Sequence, residues 1–396
     1  MTEYVRLGDV ASINPPKKLV SHLADETVVG FIPMDAVSNE GKMERIDTRK
    51  YSEVKKGFVY FADGDILFAK ITPCMENGKG AIVSGMPNGI GFGSTEFHVV
   101  RPNNEMTYER YIHYFLKNPS LRKLLENKMT GSAGQKRVSK DTLKELIIPL
   151  PPLSEQKRIA AALDTMSSVI SRRKRQIELL DEAAKSLFVE MFGDPVENPM
   201  GWDVVELKKL STKIGSGSTP KGGSQSYVES GISLIRSLNV YNNRFKIKDL
   251  AHITPEQAKK LDNVTLQKND VLINITGASV ARSCIVPDDV LPARVNQHVS
   301  IIRCIPSVLN PIYLNYFLTD GNYQHILLSV GEDGGATREA ITKSQLEALG
   351  ISLPPIDLQN LFAARIEALE AERASCERGL SEMEMAFSAM MQEYFG

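Results

Sequence analysis

The residues of this chain that could carry out chemistry form no complete catalytic motif. Asn14–Pro16 would hold a flipped-out base only if an aromatic ring followed, and two lysines follow instead. Gly215–Ser218 lacks the spacing and the Lys-Ser/Thr pair of a phosphate-binding loop. Pro287-Asp288 is not followed by the acidic-x-Lys pattern of a metal-dependent nuclease, and neither His-Glu-x-x-His nor Gly-x-Ser-x-Gly occurs. The sequence therefore favours a non-catalytic protein, but it leaves open a site built from carboxylates far apart in the chain.

The chain contains a long internal repeat. When the sequence is shifted by 203 positions, residues 143–193 align with residues 346–396 without a gap. Gln156 then falls on Gln359, and a Leu-Pro-Pro before it and a Phe-Gly at the end occur in both copies. A period of about 200 residues is too long for a solenoid unit. The repeat predicts a duplicated protein in the order globular segment, helix, globular segment, helix.

Each copy ends in a long amphipathic helix. A double proline stops any earlier helix, and Ser154 is the predicted N-cap. Apolar residues then recur at alternating steps of four and three, as in a two-helix coiled coil. A single helix lying on a globular core is the alternative, but its apolar stripe would be wider. The predicted seam residues are Ile159, Leu163, Met166, Ile170, Ile177, Leu180, Leu187, Phe362, Ile366, Leu369, Leu380, Met383, Phe387 and Met390.

The lengths of the linkers predict how the helices pair. The second globular segment starts roughly eight residues after the first helix and stops where the second helix begins. Two helices that pack along their length must then run antiparallel. We therefore expect one globular segment at each end of a helix pair, with pseudo-two-fold symmetry.

Composition limits the compartment and the metal chemistry. Cys74, Cys284, Cys304 and Cys376 are scattered without a Cys-x-x-Cys pair, and the six histidines show no metal-ligand spacing. No signal segment is evident, and no apolar run approaches the roughly 18 residues of a membrane span. We expect reduced thiols, no metal, no membrane contact and a cytoplasmic location.

The net charge of −1 is unevenly distributed. Residues 357–396 carry 3 Lys and Arg against 8 Asp and Glu, whereas the globular segments are slightly basic. This distribution permits DNA binding by local patches but does not demand it.

The globular segments combine strands and helices. Short β-branched runs between Gly, Asn and Pro clusters predict strands, and residues 108–128 predict a helix. The predicted fold class is α+β, with two mixed α/β domains of about 150 residues joined by a long antiparallel two-helix coiled coil. One scaffold with different loops is expected of two domains that bind different targets. The copies differ most in the loops 72–80 and 276–282, 131–137 and 334–338, and 215–223.

Two segments resemble the specificity subunits of type I restriction–modification systems. Gly134–Arg137, followed by the Pro-Leu-Pro-Pro-Leu-Ser-Glu-Gln-Lys-Arg-Ile run that ends at Ile159, resembles the end of a target-recognition domain and the conserved helix after it. Gly217–Pro220, followed by residues 232–240, resembles the start of another such domain. The resemblance covers essentially the whole chain, including its duplication and the order of its parts.

The resemblance implies a non-catalytic subunit that selects a sequence of double-stranded DNA. It would do so for two adenine-N6 methyltransferase subunits, and for restriction and translocase subunits where restriction is present. Each domain would recognise half of a bipartite site, and the helices would set the spacer and dock the methyltransferase subunits. No cofactor is implied in this chain, since partner subunits would bind S-adenosylmethionine, and ATP and Mg where restriction is present. The implied parts are a first target-recognition domain (1–153), a central conserved helix (154–194), a second target-recognition domain (195–356) and a C-terminal conserved helix (357–396).

Loop residues with hydrogen-bond donors are the candidate DNA contacts. Arg and Lys bind guanine, Asn and Gln bind adenine, and hydroxyl groups mostly bind phosphate. For each residue, a solvated surface side chain is the alternative. The candidates are Lys70, Asn77, Lys79, Gln135, Lys136 and Arg137 in the first domain, and Thr219, Lys221, Arg236, Asn239, Arg282 and Arg338 in the second.

Two broader alternatives concern the helices and the whole chain. The basic run at residues 172–175 would bind spacer phosphates or pair with Glu377, Glu382 and Glu384. The chain as a whole could instead be a duplicated coiled-coil adaptor that binds only proteins, or a self-sufficient DNA enzyme. The missing motifs disfavour the enzyme, while the acidic second helix is compatible with the adaptor.

Overall fold

The computed structural model describes residues 3–132, 134–332 and 340–396. The chain divides into two compact units, of which the first contains residues 1–174 and 378–396 and the second residues 175–377. Among the described residues, no helix combines the length and the apolar character needed to cross a membrane.

The two units contain similar series of helices and strands. The helices, α1 to α11 in chain order, are Leu7–Val10, Tyr51–Val54, Glu109–Lys117, Pro119–Asn127, Lys140–Lys144, Leu153–Phe192, Pro255–Lys259, Pro311–Thr319, Gly321–Glu332, Lys343–Glu347 and Ile356–Phe395. The strands, β1 to β21, are Glu3–Arg6, Ala11–Ile13, Val28–Ile32, Asp47–Lys50, Val59–Ala62, Ile66–Ala69, Gly80–Ile82, Ile90–Gly93, Phe97–Pro102, Ile147–Leu150, Val204–Glu206, Ser211–Ser216, Ile232–Ile235, Val240–Tyr241, Arg244–Phe245, Ala251–Ile253, Val271–Asn274, Ser283–Ile285, Ala293–Val295, Val299–Cys304 and Gly350–Ser352.

In the first unit, one core lies between two sheets, and another lies between the antiparallel sheet and the helices. The sheet β2-β9-β6-β7 is antiparallel, and the sheet β4-β3-β8-β5 pairs β3 with β8 in parallel. Side chains alternate between the two faces of a strand. Along β6, Leu67 and Ala69 therefore face the second sheet, while Ile66 and Phe68 face the helices. This explains why β6 is a continuous apolar run, since both of its faces are buried.

The second unit repeats this arrangement with a smaller second sheet. Its antiparallel sheet is β12-β20-β17-β18, and its other sheet is β16-β13-β19 with β13 parallel to β19. A two-stranded antiparallel pair precedes each long helix, β1 with β10 and β11 with β21. The hairpin β14-β15 lies outside these sheets.

A buried ion pair occupies the same place in both units. In the first unit, Arg101 donates from Nε and Nη2 to the two carboxylate oxygens of Asp65, both at 2.7 Å. In the second unit, Arg303 does the same to Asp270, again at 2.7 Å. Each carboxylate also accepts the backbone N–H of the residue three positions before it, Ala62 or Gln267. The duplication thus extends to polar groups of the core.

Within each unit, the long helices run antiparallel. In the first unit, Ile159 and Leu163 near the start of α6 pack in the cluster that holds Met391, and Lys174 pairs with Glu384 at 2.8 Å. In the second unit, Phe192 near the end of α6 packs on Phe362 near the start of α11, with ring centroids 5.3 Å apart, and Asp181 of α6 lies 3.9 Å from Arg373 of α11. Residue numbers on α6 therefore rise as those on α11 fall, and the predicted fold class is confirmed.

The predicted seam residues are buried to different extents. Ile159, Leu163, Phe362 and Ile366 are buried, next to the globular parts of their units. The remaining predicted seam residues are half-buried, namely Met166, Ile170, Ile177, Leu180, Leu187, Leu369, Leu380, Met383, Phe387 and Met390.

Two predicted helix boundaries are wrong. The helix predicted for residues 108–128 is two helices, because Pro119 follows Asn118, whose side chain caps α4 by accepting N–H groups of Ser120 and Leu121. The first long helix begins at Leu153, so Ser154 lies inside its first turn.

Candidate nucleic-acid interface

Two loops of the first unit meet beside the antiparallel sheet. The loop between β6 and β7 spans residues 70–79, and its neighbour spans residues 130–138. The Thr72 N–H donates to the Lys136 carbonyl at 3.0 Å, and the Val138 N–H donates to the Lys70 carbonyl at 2.9 Å. These bonds bring the predicted DNA contacts of both loops to one place on the first unit.

Two of these predicted contacts are already bonded to protein groups. Arg137 donates from Nε and Nη2 to the two carboxylate oxygens of Glu96, both at 2.9 Å, and this bidentate bond lowers the pKa of Glu96. Lys79 Nζ donates to the Met34 carbonyl at 3.1 Å. These side chains hold the loops in place.

The other four predicted contacts of the first unit differ in exposure. Asn77, Gln135 and Lys136 are exposed, and Lys70 is half-buried. The three exposed side chains can meet a nucleic acid without breaking an internal bond.

The second unit brings together the corresponding loops. The Ile341 N–H donates to the Ile275 carbonyl at 2.8 Å, as a bridge forms between Thr276 and Ala340. Arg282 occupies the backbone position in the second unit that Lys79 occupies in the first. The carbonyl group of each residue accepts an N–H from the strand segment before it, at 3.0 Å for Lys79 and 2.8 Å for Arg282.

The predicted contacts of the second unit differ in exposure and in their bonds to protein groups. Lys221 is exposed, Thr219 donates to Gln297 Oε1, and Arg282 is half-buried. Arg236 donates to the Asp249 carbonyl and lies over the Tyr227 ring, 5.4 Å from its centroid. Arg338 lies outside the described residues.

The prediction of a DNA contact at Asn239 is wrong. Its side chain is completely buried, and its Nδ2 donates to the Lys246 carbonyl at 2.9 Å while its Oδ1 accepts the Arg236 N–H at 3.1 Å. Its Nδ2 also donates to the Lys248 carbonyl at 3.4 Å, so the amide links two backbone segments and has no N–H left for a base.

Comparisons with known proteins identify the duplicated unit. The family model described as "Type I restriction modification DNA specificity domain" matches residues 2–180 and 199–382. The chain belongs to this family.

Two curated relatives from Escherichia coli each match less than half of this chain. The EcoAI type I restriction enzyme specificity subunit is 40% identical over 193 residues, which are 48% of this chain and 32% of the relative. The EcoEI specificity subunit is 39% identical over 176 residues, 44% of this chain and 29% of the relative. The aligned part thus covers about a third of the length of each relative.

A solved structure shows the same fold. The crystal structure of the type I restriction-modification system S subunit from M. genitalium has a TM-score of 0.60 and 13% identity, and the match covers 100% of this chain and 96% of that one.

The second specificity domain has a cleft between its variable loops. Its volume is about 580 Å³, and it is lined by Ser237, Leu238, Tyr241, Thr276, Gly277, Ala278, Ser279, Arg282, His298 and Ala340. His298 is held by Thr276, whose Oγ1 lies 2.5 Å from Nδ1. Tyr241, which lies on the β14-β15 hairpin, was not among the residues predicted from the sequence. The local signal for it is limited to the Asn-Asn turn beside it.

The basic run in α6 forms ion pairs with glutamates. Lys174 pairs with Glu384, one of the predicted partners, at 2.8 Å. Arg175 pairs with Glu178 at 3.0 Å and Glu182 at 3.2 Å, both on its own helix. Exposed pairs of this kind are weak, so they leave both charges available to a phosphate.

Proposed function

We propose that this chain is the DNA sequence-specificity subunit of a type I restriction–modification complex. Each specificity domain recognises one half of a bipartite site in double-stranded DNA. The paired helices set the spacer between the half-sites and dock adenine-N6 methyltransferase subunits, which carry out the chemistry and bind S-adenosylmethionine. Restriction and translocase subunits, with ATP and Mg, join where the system also cleaves DNA.

One observation carries this proposal: a single scaffold occurs twice and differs in its loops. The ion pairs of Asp65 and Asp270 are the same in both domains. The loops are not the same, because Lys79 is tied to a carbonyl whereas Arg282 at the matching position lies against an aromatic ring. Two domains of one fold with different donor groups suit two different half-sites.

A domain exchange tests the assignment of one half-site to each domain. The gene is replaced in its host by a version in which residues 1–153 come from a related subunit, and methylated adenines are mapped by genome-wide sequencing. We expect one half of the modified site to change while the other half stays the same. If both halves change, the domains do not act separately.

A paired insertion tests the role of the helices in setting the spacer. One heptad is added to each helix, after Lys174 in α6 and after Glu377 in α11, so that the antiparallel seam keeps its register. Seven residues add about 10.5 Å, which corresponds to at most about three base pairs. We expect a longer spacer with unchanged half-sites, and a modified site with the original spacer would contradict the proposal.

DNA binding separates this proposal from a protein-binding adaptor. A specificity subunit binds DNA with an affinity that falls steeply as salt rises, because phosphate contacts release counterions. An adaptor binds methyltransferase subunits or other proteins but shows no such binding. Titrating the purified chain with duplex DNA at several salt concentrations distinguishes the two, and equilibrium dialysis of the chain alone with S-adenosylmethionine should show no binding.

A further inference from the structure

In the second specificity domain, Arg282 differs from the other predicted arginine contacts that the structure describes. Its guanidinium carbon lies over the Tyr241 ring, 4.8 Å from the centroid. Within the described residues, its side chain forms no hydrogen bond or ion pair with a protein group. Arg137 is instead held by a carboxylate and Arg236 by a carbonyl. The Arg282 guanidinium therefore keeps its N–H donors for a ligand.

The ring that supports Arg282 is itself firmly held. Asn242, the next residue in the hairpin, exchanges two amide hydrogen bonds with Gln324 of α9, both at 3.0 Å. Arg244, which pairs with Tyr241 across the hairpin, forms an ion pair with Asp181 of α6. The hairpin is thus fixed to two helices of the same unit. Little conformational entropy is therefore lost when a ligand binds.

The surroundings of Arg282 suit the edge of a base better than a phosphate. Ser237, Thr276 and Ser279 bring hydroxyl groups to the cleft, and the exposed Leu238 and Ala278 bring apolar contacts. Phosphate sites usually gather several cations and backbone N–H groups. Among the described residues that line this cleft, Arg282 is the one lysine or arginine. A planar guanidinium fork on an aromatic ring matches the two acceptors of guanine, O6 and N7.

We propose that Arg282 binds the O6 and N7 atoms of one guanine in the half-site of the second specificity domain, and that Tyr241 is the positioning residue for this contact. The inference rests on the proposed function and deepens it. It assigns one base of the site, one residue that recognises it, and one residue that acts through the first.

The test compares five variants with the wild-type chain in the host, with methylated adenines mapped across the genome. The wild-type site should contain a required guanine in one half. Arg282→Ala should make that position degenerate while the rest of the site and the spacer stay unchanged. Arg282→Lys should weaken the preference, since a lysine cannot form the planar bidentate pair.

The ring variants separate positioning from stability. Tyr241→Phe keeps the aromatic face and should keep the guanine, whereas Tyr241→Leu should broaden the same position that Arg282→Ala broadens. Lys246→Ala is the matched control, because its Nζ lies 5.5 Å from the same ring and its removal deletes the same charge. This variant should lower the fraction of methylated sites to the same extent at every position of the genome, without changing the recognised sequence.

Binding to purified duplexes gives the magnitude. The wild-type chain should prefer its mapped site over the same duplex with that guanine replaced by about 5- to 150-fold, the range of a good bidentate pair. Arg282→Ala should reduce this ratio to near one. An unchanged ratio, with weaker binding to both duplexes and a smaller salt dependence, would make Arg282 a phosphate contact and overturn the inference while the proposed function stands. A wild-type chain that gives no modified site would overturn both.

Discussion

Replacing Gln156 by leucine tests how the first long helix is joined to its globular domain. Gln156 is completely buried, and its Oε1 accepts the Tyr108 N–H at 2.9 Å. Its Nε2 donates to the carbonyls of Met106 and Pro151, both at 2.9 Å. One side chain thus ties the first turn of α6 to the loop before α3 and to the segment after β10.

The cost follows from the groups that leucine leaves without a partner. A buried N–H without a hydrogen bond costs about 1–3 kcal/mol. The two carbonyls each lose one bond, at roughly 1 kcal/mol apiece. Leucine recovers on the order of 1 kcal/mol by burying more apolar surface. We therefore expect Gln156→Leu to lower the free energy of unfolding by about 2–4 kcal/mol.

The repeat supplies a second copy of the same experiment. Gln359 is also completely buried, accepts the Asn310 N–H at 2.8 Å, and donates to the carbonyls of Val308 at 3.1 Å and Pro354 at 2.7 Å. Gln359→Leu should therefore cost a similar amount in the second unit.

Urea unfolding of the full chain measures both variants. Far-UV circular dichroism follows the helices of both units, and fluorescence of Trp202, the single tryptophan, follows the second unit. With a urea slope of about 2 kcal/mol per molar, the midpoint of the affected transition should fall by about 1–2 M. Gln359→Leu should shift the Trp202 transition directly.

Gln176→Leu is the control for this experiment, since it makes the same change at an exposed position of α6. It should change stability by no more than about 0.5 kcal/mol. If Gln156→Leu shifts the midpoint no more than Gln176→Leu does, the three buried hydrogen bonds do not stabilise the joint, and the reasoning is refuted.

Three further predictions concern stability. Burial lowers the pKa of His113 to about 3, so between about pH 6.5 and pH 3 the unfolded chain binds a proton that the folded chain does not. Stability should fall as the pH decreases through this range, by up to about 1.4 kcal/mol per pH unit, and urea midpoints of His113→Gln should depend less on pH. Gly217→Ala would place a methyl group 1.9 Å from a backbone carbonyl oxygen and should cost about 1–3 kcal/mol, whereas Gly215→Ala, with open space around it, should be close to neutral in the same unfolding assay. Asp65→Asn leaves the Arg101 guanidinium without its carboxylate and should cost about 2–3 kcal/mol by urea unfolding, at or below the low end of the roughly 3–5 kcal/mol of a fully buried pair, because Arg101 stays 27% exposed.

The main features of the fold could be predicted because they depend on periodicity and on chain length. The heptad pattern predicts both long helices, and the short linker between the first helix and the second globular segment predicts their antiparallel pairing. Gln156 and Gln359 align in the repeat, and the structure explains their identity, since each makes the same three bonds. Phe188 and Phe192 pack with the globular core of the second unit, outside the predicted seam. A strict two-position pattern does not include them.

Helix boundaries depend on groups that periodicity does not detect. Residues 108–128 have the spacing of one helix. However, Pro119 has no backbone N–H to donate to a preceding turn, and Asn118 caps the second helix. At α6, the Pro152 carbonyl accepts the N–H groups of Glu155 and Gln156, at 2.8 and 3.0 Å. The helix therefore begins one residue before Ser154. The double proline was the signal for this boundary, since a proline carbonyl can accept a helical bond although its nitrogen cannot donate one.

The candidate site was harder to predict because residue type does not determine which donors are available. Arg137, Arg236 and Arg282 are equivalent in the sequence as loop arginines. The structure separates them by their acceptors, since Glu96 holds the first and a backbone carbonyl holds the second. The third lies on a ring contributed by a hairpin 41 residues earlier in the chain, a contact that only the tertiary fold produces. A guanidinium already bound to a carboxylate must lose that bond before it can contact DNA, whereas one lying on an aromatic face keeps its N–H groups for a base. The residue that distinguishes these two cases is therefore the partner, and for Arg282 that partner is Tyr241.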